Sequence, residues 1–290
     1  MKKKIFKGSL FTVGASLWWG LIGVIYFKFV SYATALELTI HRTIWTAFLL
    51  IITTSYYSKW QEFNKLILKP KNLLILLITG LLISINWFTW LYAVKNNNLL
   101  DSALGYYIYP IVSVFFGVIF LKEKYNRNKI ISVLLVVIAL IYFLLKLGEV
   151  PWIGLTVAVT FSLYSLIRKK IKVSSDIGLL IETLLLSPIA ICFFLYLVKN
   201  ENNIFSYTEP ILSFYLFWAG LITLVPLFWY TRGFNLIGIG PASMIFFLAP
   251  TGQFFLGIYY FNEPLILDQL IVFIFIWIAV FIYLNELRKE

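Results

Sequence analysis

Residues 35–57 read ALELTIHRTIWTAFLLIITTSYY, and three ionisable side chains, Glu37, His41 and Arg42, fall within the first eight positions of this otherwise apolar stretch. A helix crosses a bilayer with ~20 mainly apolar residues, so the stretch has the length of a span. A charge at the centre of a span costs roughly 2.5–3.5 kcal/mol. At ~1.5 Å rise per residue, His41 and Arg42 lie about 10 Å in from the leading end. Glu37 and His41 are four apart and share one helix face, which Trp45 continues, while Arg42 is turned about 100° away from them. Such charges are kept either for one another, as a structural network (Arg42 with Glu182 is one such pairing), or for a cavity that they line.

The rest of the chain reads the same way. Of 290 residues, 61% are hydrophobic and 13% charged, with a mean hydropathy of +0.90. That leaves too little polar surface to cover a soluble core and describes an all-α integral membrane protein. Ten spans are expected, at 6–27, 35–57, 73–94, 99–121, 129–147, 151–167, 177–198, 211–231, 238–261 and 265–284. With the N-terminus inside, 19 of the 24 Lys and Arg fall in inner segments and 4 in outer ones, and Arg42 lies within a span. Positive residues collect on the cytoplasmic side, so the pattern predicts N-in, C-in and an even number of spans. The net charge of +11 is therefore a topological signal and not a nucleic-acid footprint. The opening MKKKIFKGSLF has no small-residue cleavage site after it and reads as a retained first span.

The chain repeats itself. At a constant offset of 140, Pro110 falls on Pro250, Gly117 on Gly257 and Glu123 on Glu263, and at 145 Glu37 falls on Glu182. This predicts one transmembrane domain over 1–290, made of repeats at 1–148 and 149–290. Five spans per repeat is an odd number, so the second copy enters the membrane inverted, an arrangement found in secondary transporters. Pro110 and Pro250 sit inside spans, where proline removes a backbone hydrogen bond and kinks the helix. Paired interruptions of this kind point to a central site.

Candidate cavity residues follow from facing positions: Glu37, His41 and Arg42 on the second span, Asn86, Trp87 and Trp90 on the third, and Glu182 on the seventh. Ser102, Tyr106, Tyr109 and Ser113 form a stripe on the fourth, and Phe246, Ala249 and Gln253 one on the ninth. Such stripes serve either helix packing through small and hydroxyl residues or the stacking of an amphipathic solute. The chain uses only five arginines against 19 lysines, and Arg42, Arg168 and Arg232 lie within or at the ends of spans. A planar, permanently charged donor suits a carboxylate or phosphate. Arg168 and Arg232 also fit a gate or a boundary anchor. One histidine and one cysteine, Cys192, exclude a disulfide within the chain and a His- or Cys-rich metal centre. Cys192 reads as a packing residue. No Walker sequence or hydrolytic constellation is present, so the chain is expected to be no enzyme, with no cofactor and no metal.

Taken in order, SLWWGLIGVIYFK, HRTIW, INWFTWLYAV, SALGYYIYPIVSVFFGVIFLKEK, SLYSLIRKK and GLLIETLLLSP resemble the RarD branch of the EamA family, within the drug/metabolite transporter superfamily. The resemblance runs over nearly the whole chain. It implies a multi-pass protein of the bacterial inner (cytoplasmic) membrane that moves a small molecule by alternating access. HRTIW and IETLLLSP carry the family's in-membrane polar positions, here His41, Arg42 and Glu182. The expected cargo is a small polar or zwitterionic metabolite, an amino acid or derivative, with Arg42 on a carboxylate or phosphate and Glu182 on an amine or carrying a proton. Amphipathic drugs and nucleotide- or sugar-linked compounds are the alternative cargoes, and a non-transporting receptor or assembly protein is the alternative class. The expected partners are the small-molecule substrate and the lipid bilayer, with no nucleic acid. The sequence neither requires nor forbids a homodimer.

Overall fold

A helix satisfies its own backbone N–H and C=O groups, which is why apolar sequence of span length takes that form in hydrocarbon. A computed structural model of the protein describes residues 2–96, 99–147, 151–171, 173–260 and 267–289, and these are helices joined by short connections, with no strand among the described residues. The first pass is α1 (Lys2–Leu17), a π-helical turn (Trp18–Gly23) and α2 (Val24–Phe29). Then come α3 (Ala35–Tyr56), the short α4 (Trp60–Ile67), α5 (Pro70–Lys95), α6 (Leu99–Leu121) and α7 (Arg127–Leu147). The second half holds α8 (Trp152–Ile171), α9 (Ser175–Lys199), α10 (Pro210–Phe217), α11 (Ala219–Ile237), α12 (Ile239–Phe246), α13 (Leu248–Tyr259) and α14 (Leu267–Lys289).

Among the described residues, eight stretches are long and apolar enough to cross a membrane: Lys2–Phe29, Ala35–Tyr56, Pro70–Lys95, Arg127–Lys146, Ser175–Lys199, Pro210–Ile237, Ile239–Leu256 and Leu270–Lys289. Two of the ten expected spans fall outside that set. On α6 the side chains of 99–104 lie outside the described residues, and the remainder, Gly105–Leu121, is a shorter apolar helix. α8 is absent from the set, and its position explains its polarity. It packs on α6 and α5 and touches α11 and α12, so Thr160, Ser162 and Ser165 are buried against protein and not against lipid.

Of the prolines inside the passes, Pro250 divides its helix, while Pro110, Pro188 and Pro226 lie within continuous helices. The expected ninth span, 238–261, is two helices that meet at Phe247. Pro250 has no N–H to give the Phe246 carbonyl, and its ring crowds that oxygen. Pro110 lies inside α6. Pro226, inside α11, frees the carbonyl of Ile222, and the indole Nε1 of Trp18 donates to it at 3.2 Å. A breaker in one half is thus satisfied by a ring from the other. Close by, the π-helical turn meets α13 backbone to backbone: a Cβ on Gly20 would stand 2.5 Å from the carbonyl oxygen of Ala249.

The core is aromatic. Tyr109, Phe161, Tyr230 and Phe246 bring α6, α8, α11 and α12 together, with ring centroids 4.8 Å apart for Tyr109–Phe161 and 5.3 Å for Tyr230–Phe246. α4, which the span reading leaves within a connection, lays Phe63 and Leu66 against the lower core through its apolar side. Cys192 does not pack as expected: it is exposed on α9.

The connection between α6 and α7 carries a carboxylate clamp. Glu123 accepts from the backbone N–H of Ile239 at 2.8 Å (Oε1) and of Gly240 at 3.1 Å (Oε2), the first amides of α12. A helix start is electropositive, so an anion is well placed there. Gly238, with φ +97°, turns the chain into the clamp. A Cβ on it would stand 2.6 Å from Glu123 Oε1. Its repeat mate Glu263 lies outside the described residues. Burial raises the Glu123 pKa above the ordinary 4.5, against the smaller downward pull of the two amides, Lys169 and Lys129. The folded state then holds this proton to higher pH than the unfolded chain does. The stability it contributes is present below about pH 4.5 and is lost as pH rises through the raised pKa. Melting temperature in detergent should therefore fall as pH rises from about 4.5 through the raised pKa, and less steeply in Glu123→Gln, which does not titrate. Identical slopes in both proteins would refute this.

Candidate functional site

Where the halves meet, one cavity is walled by six segments. The first pass gives Trp19, Gly23 and Phe27, four residues apart on one face, and α3 gives Arg42. α5 gives Ile83, Asn86, Trp87 and Trp90, and α6 gives Tyr106. The second half closes it with Phe161, Phe246 and Gln253. Its volume is about 30 Å³. A single water needs ~10–15 Å³ and a drug-sized ligand a few hundred, so the cavity has room for little more than water.

Among its described lining residues, Arg42 is the one that is charged. The side chain is 3% exposed, and Nε donates to Thr223 Oγ1 of α11 at 2.8 Å. The guanidinium lies over the rings of Phe27 and Trp87, 4.7 and 4.5 Å from their centroids. Guanidinium over two aromatic faces is stabilised by their quadrupoles, but the charge is not neutralised. Among the described residues no carboxylate lies within ion-pair distance of it. Trp90 shares the Phe27 ring at 5.5 Å, is 7% exposed, and its Nε1 has no hydrogen-bond partner. Asn86 uses both amide hydrogens on α8, giving 2.8 Å to the Val157 carbonyl and 3.1 Å to Thr160 Oγ1.

Arg42, Asn86, Trp87, Trp90, Tyr106 and Gln253 thus meet in one cavity, as does Phe246 from the ninth-span stripe. The other expected residues lie elsewhere. Glu37 is buried with Oε1 accepting from the N–H of Ile204 (2.7 Å) and of Phe205 (2.9 Å), so it pins the connection after α9. His41 accepts from Trp45 Nε1 at 3.1 Å through Nδ1 and sits against the rings of Phe194 and Phe205. Its Nε2 is 3.9 Å from Glu37 Oε1. The pair therefore faces α9 and its following loop, while Arg42, a hundred degrees round the helix, faces inward. Tyr109 stands behind the cavity wall, bonded to Tyr230 and touching Phe161 and Phe246. Ser113 bonds Ser162 at 3.2 Å in the α6–α8 packing. The Ser102 side chain lies outside the described residues.

Glu182 pairs with Arg168, not with Arg42. Arg168 Nε is 3.3 Å from Glu182 Oε1, both side chains 1% exposed. Thr79 Oγ1 donates to the same oxygen at 2.7 Å and Tyr164 Oη to Oε2 at 3.4 Å. Arg168 Nη2 also reaches the carbonyls of Ser174 and Ser175. A residue buried this way is no boundary anchor. Room for it comes from Gly178, where a Cβ would fall 1.8 Å from Nη1. Gly178→Ala must displace the guanidinium from its carboxylate, and a loss of about 2–4 kcal/mol is expected, read as a lower melting temperature in detergent. An unchanged value would show that the pair tolerates displacement. Arg232, in contrast, is exposed, with its guanidinium over Phe11 and Phe228.

The sequence reading missed Trp19, Phe27, Phe161 and Thr223. The first two had a signal: Trp19, Gly23 and Phe27 recur at a spacing of four, a helix face with a glycine gap. Phe161 and Thr223 gave none, since a phenylalanine or threonine in an apolar run has no distinguishing pattern.

The pattern of the EamA-like transporter family matches residues 6–145 of this chain. Protein RarD of Escherichia coli (strain K12) is 32% identical over 284 residues, covering 98% of this chain and 96% of its own. Protein RarD of Salmonella typhi is 31% identical over the same length and coverage. The uncharacterized transporter YojE of Bacillus subtilis (strain 168) is 32% identical over 281 residues, 96% of this chain and 93% of its own. One solved crystal structure shares the fold at a TM-score of 0.69, over 97% of this chain and 98% of its own, at 16% identity.

Proposed function

The chain belongs to the EamA-like transporter family, in its RarD-type branch, and from that premise we propose that it is a secondary transporter working by alternating access around the Arg42 cavity. It is a multi-pass membrane protein. The bacterial inner membrane is its proposed site, with ten passes as two inverted five-pass repeats and both termini inside. The contacts between helices support the repeat, since exchanging the halves maps them onto one another. α3 packs on α9 and α7 on α14, each pair its own mate. The packing of α5 on α8 has its mate in α11 on α1, and that of α5 on α9 in α11 on α3.

The observation that carries the function is an arginine, 3% exposed, in a cavity between the halves, with no carboxylate among the described residues to neutralise it. A buried charge left alone is too costly to keep for packing. Arg42 is read as the receptor for the anionic group of a small metabolite, with the aromatic walls taking the remainder. Amino acids and simple organic acids both satisfy that description. With Glu182 committed to Arg168, an amine would meet the aromatic faces and not a carboxylate. Purified protein in liposomes should catalyse counterflow of labelled amino acids or organic acids without nucleotide. No counterflow of any such solute would overturn the reading.

A further inference from the structure

We infer that the cavity selects solutes of net charge minus one, carboxylates with an apolar or aromatic body and no ammonium group, over zwitterions of the same skeleton. This rests on the transport reading above and narrows its substrate class.

The argument is one of charge balance in a site that water barely reaches. Among the described lining residues Arg42 is the one that carries a charge, and none is a carboxylate. The two acids that the sequence offers as partners within the spans are already engaged, Glu37 by the amides of Ile204 and Phe205 and Glu182 by Arg168. A mono-anion brings the filled site to neutrality. A zwitterion leaves it positive and adds a second cation that must shed its water. The acceptors available to that ammonium are the amide oxygens of Asn86 and Gln253 and the aromatic faces, and none of these carries a full charge. Burying an ion is tolerable when it is paired and costly when it is not.

A second observation points the same way. Trp90 is 7% exposed and lines the cavity, yet its Nε1 donates to nothing among the described residues. Buried donors are almost always satisfied, and an orphan in the cavity that holds the unneutralised Arg42 fits an acceptor that arrives with the solute. Arg42 and Trp90 both touch Phe27, so the two residues border the same part of the wall. Asn86 spends both of its amide hydrogens on α8 and leaves the anion to them.

Three probes with a common skeleton test this: 3-phenylpropanoate, phenylalanine, which adds the ammonium, and 2-phenylethylamine, which keeps only the ammonium. Binding of labelled 3-phenylpropanoate to the full chain in detergent at neutral pH, with the other two as competitors, is the readout. Phenylalanine is expected to compete at least tenfold more weakly than unlabelled 3-phenylpropanoate, and the amine not at all, since a buried charge-assisted bond corresponds to roughly a factor of ten or more. Arg42→Gln should erase the preference. Trp90→Phe keeps the ring and removes the donor, and should weaken the anion roughly tenfold. Phenylalanine binding as tightly as 3-phenylpropanoate would overturn the charge selection and leave transport standing. So would binding of none of the three while counterflow of another solute persists. Absence of both binding and counterflow would remove the transport reading and the inference together.

Discussion

Arg42→Gln is expected to reduce solute flux in liposomes by about two orders of magnitude or more while the protein stays folded. Truncating one member of a buried, hydrogen-bonded charge pair costs about 2–5 kcal/mol, or roughly thirty- to several-thousand-fold at 1.4 kcal/mol per decade. Here the other member is the solute, so the loss falls on recognition. The fold should not suffer. The Gln amide can still donate to Thr223 Oγ1, and the change removes an unneutralised buried charge, so melting temperature should hold or rise. Lysine is no substitute, since it supplies a charge without the planar fork that lies between Phe27 and Trp87. Wild-type flux in Arg42→Gln would take Arg42 out of the site.

The second large effect is on stability. Arg168→Ala removes the cation beside the buried Glu182 and leaves its carboxyl held only by the hydroxyls of Thr79 and Tyr164. A loss of about 3–5 kcal/mol is expected, enough to exhaust much of a domain's ordinary margin of ~5–15 kcal/mol. The double change Arg168→Met with Glu182→Met removes both charges at similar volume and should recover most of that loss. Flux per folded molecule in the double variant decides the role of the pair. Retained flux fits an architectural pair, and abolished flux would return Glu182 to the solute pathway. Thermal unfolding in detergent and counterflow on the same preparations give both numbers.

How far the sequence reveals these assignments depends on the kind of information each needs. The helices are local: apolar length and proline placement define them, down to the break that Pro250 imposes at Phe247. The separation of Arg42 from Glu37 and His41 is local too, because a hundred degrees of helical turn places neighbours in sequence on different faces. The partner of Glu182 is not local. Arg42 and Arg168 carry the same charge, and the choice between them is made by the packing of α5 on α8 and α9, and by the missing Cβ of Gly178. The polarity of α8 looks like weakness in a span until the helix is seen to have protein around it. Phe161 and Thr223 join the site through tertiary packing alone.

The π-helical turn at Trp18–Gly23 places one more residue in the first pass than a regular helix of the same rise would hold. That surplus has a consequence for motion. A wide turn can migrate along a helix as each successive amide trades its acceptor for the neighbouring one, and every residue it passes rotates by about 100° without any segment unfolding. Trp19, Gly23 and Phe27 sit within or just beyond this turn and wall the cavity. Migration of the turn toward Phe27 would swing Trp19 off the wall while the contacts of α1 on α11 stay in register. The first pass is thereby built as a screw thread with one loose turn, and the tightest crossing in its path, Gly20 against Ala249, marks where that thread is held.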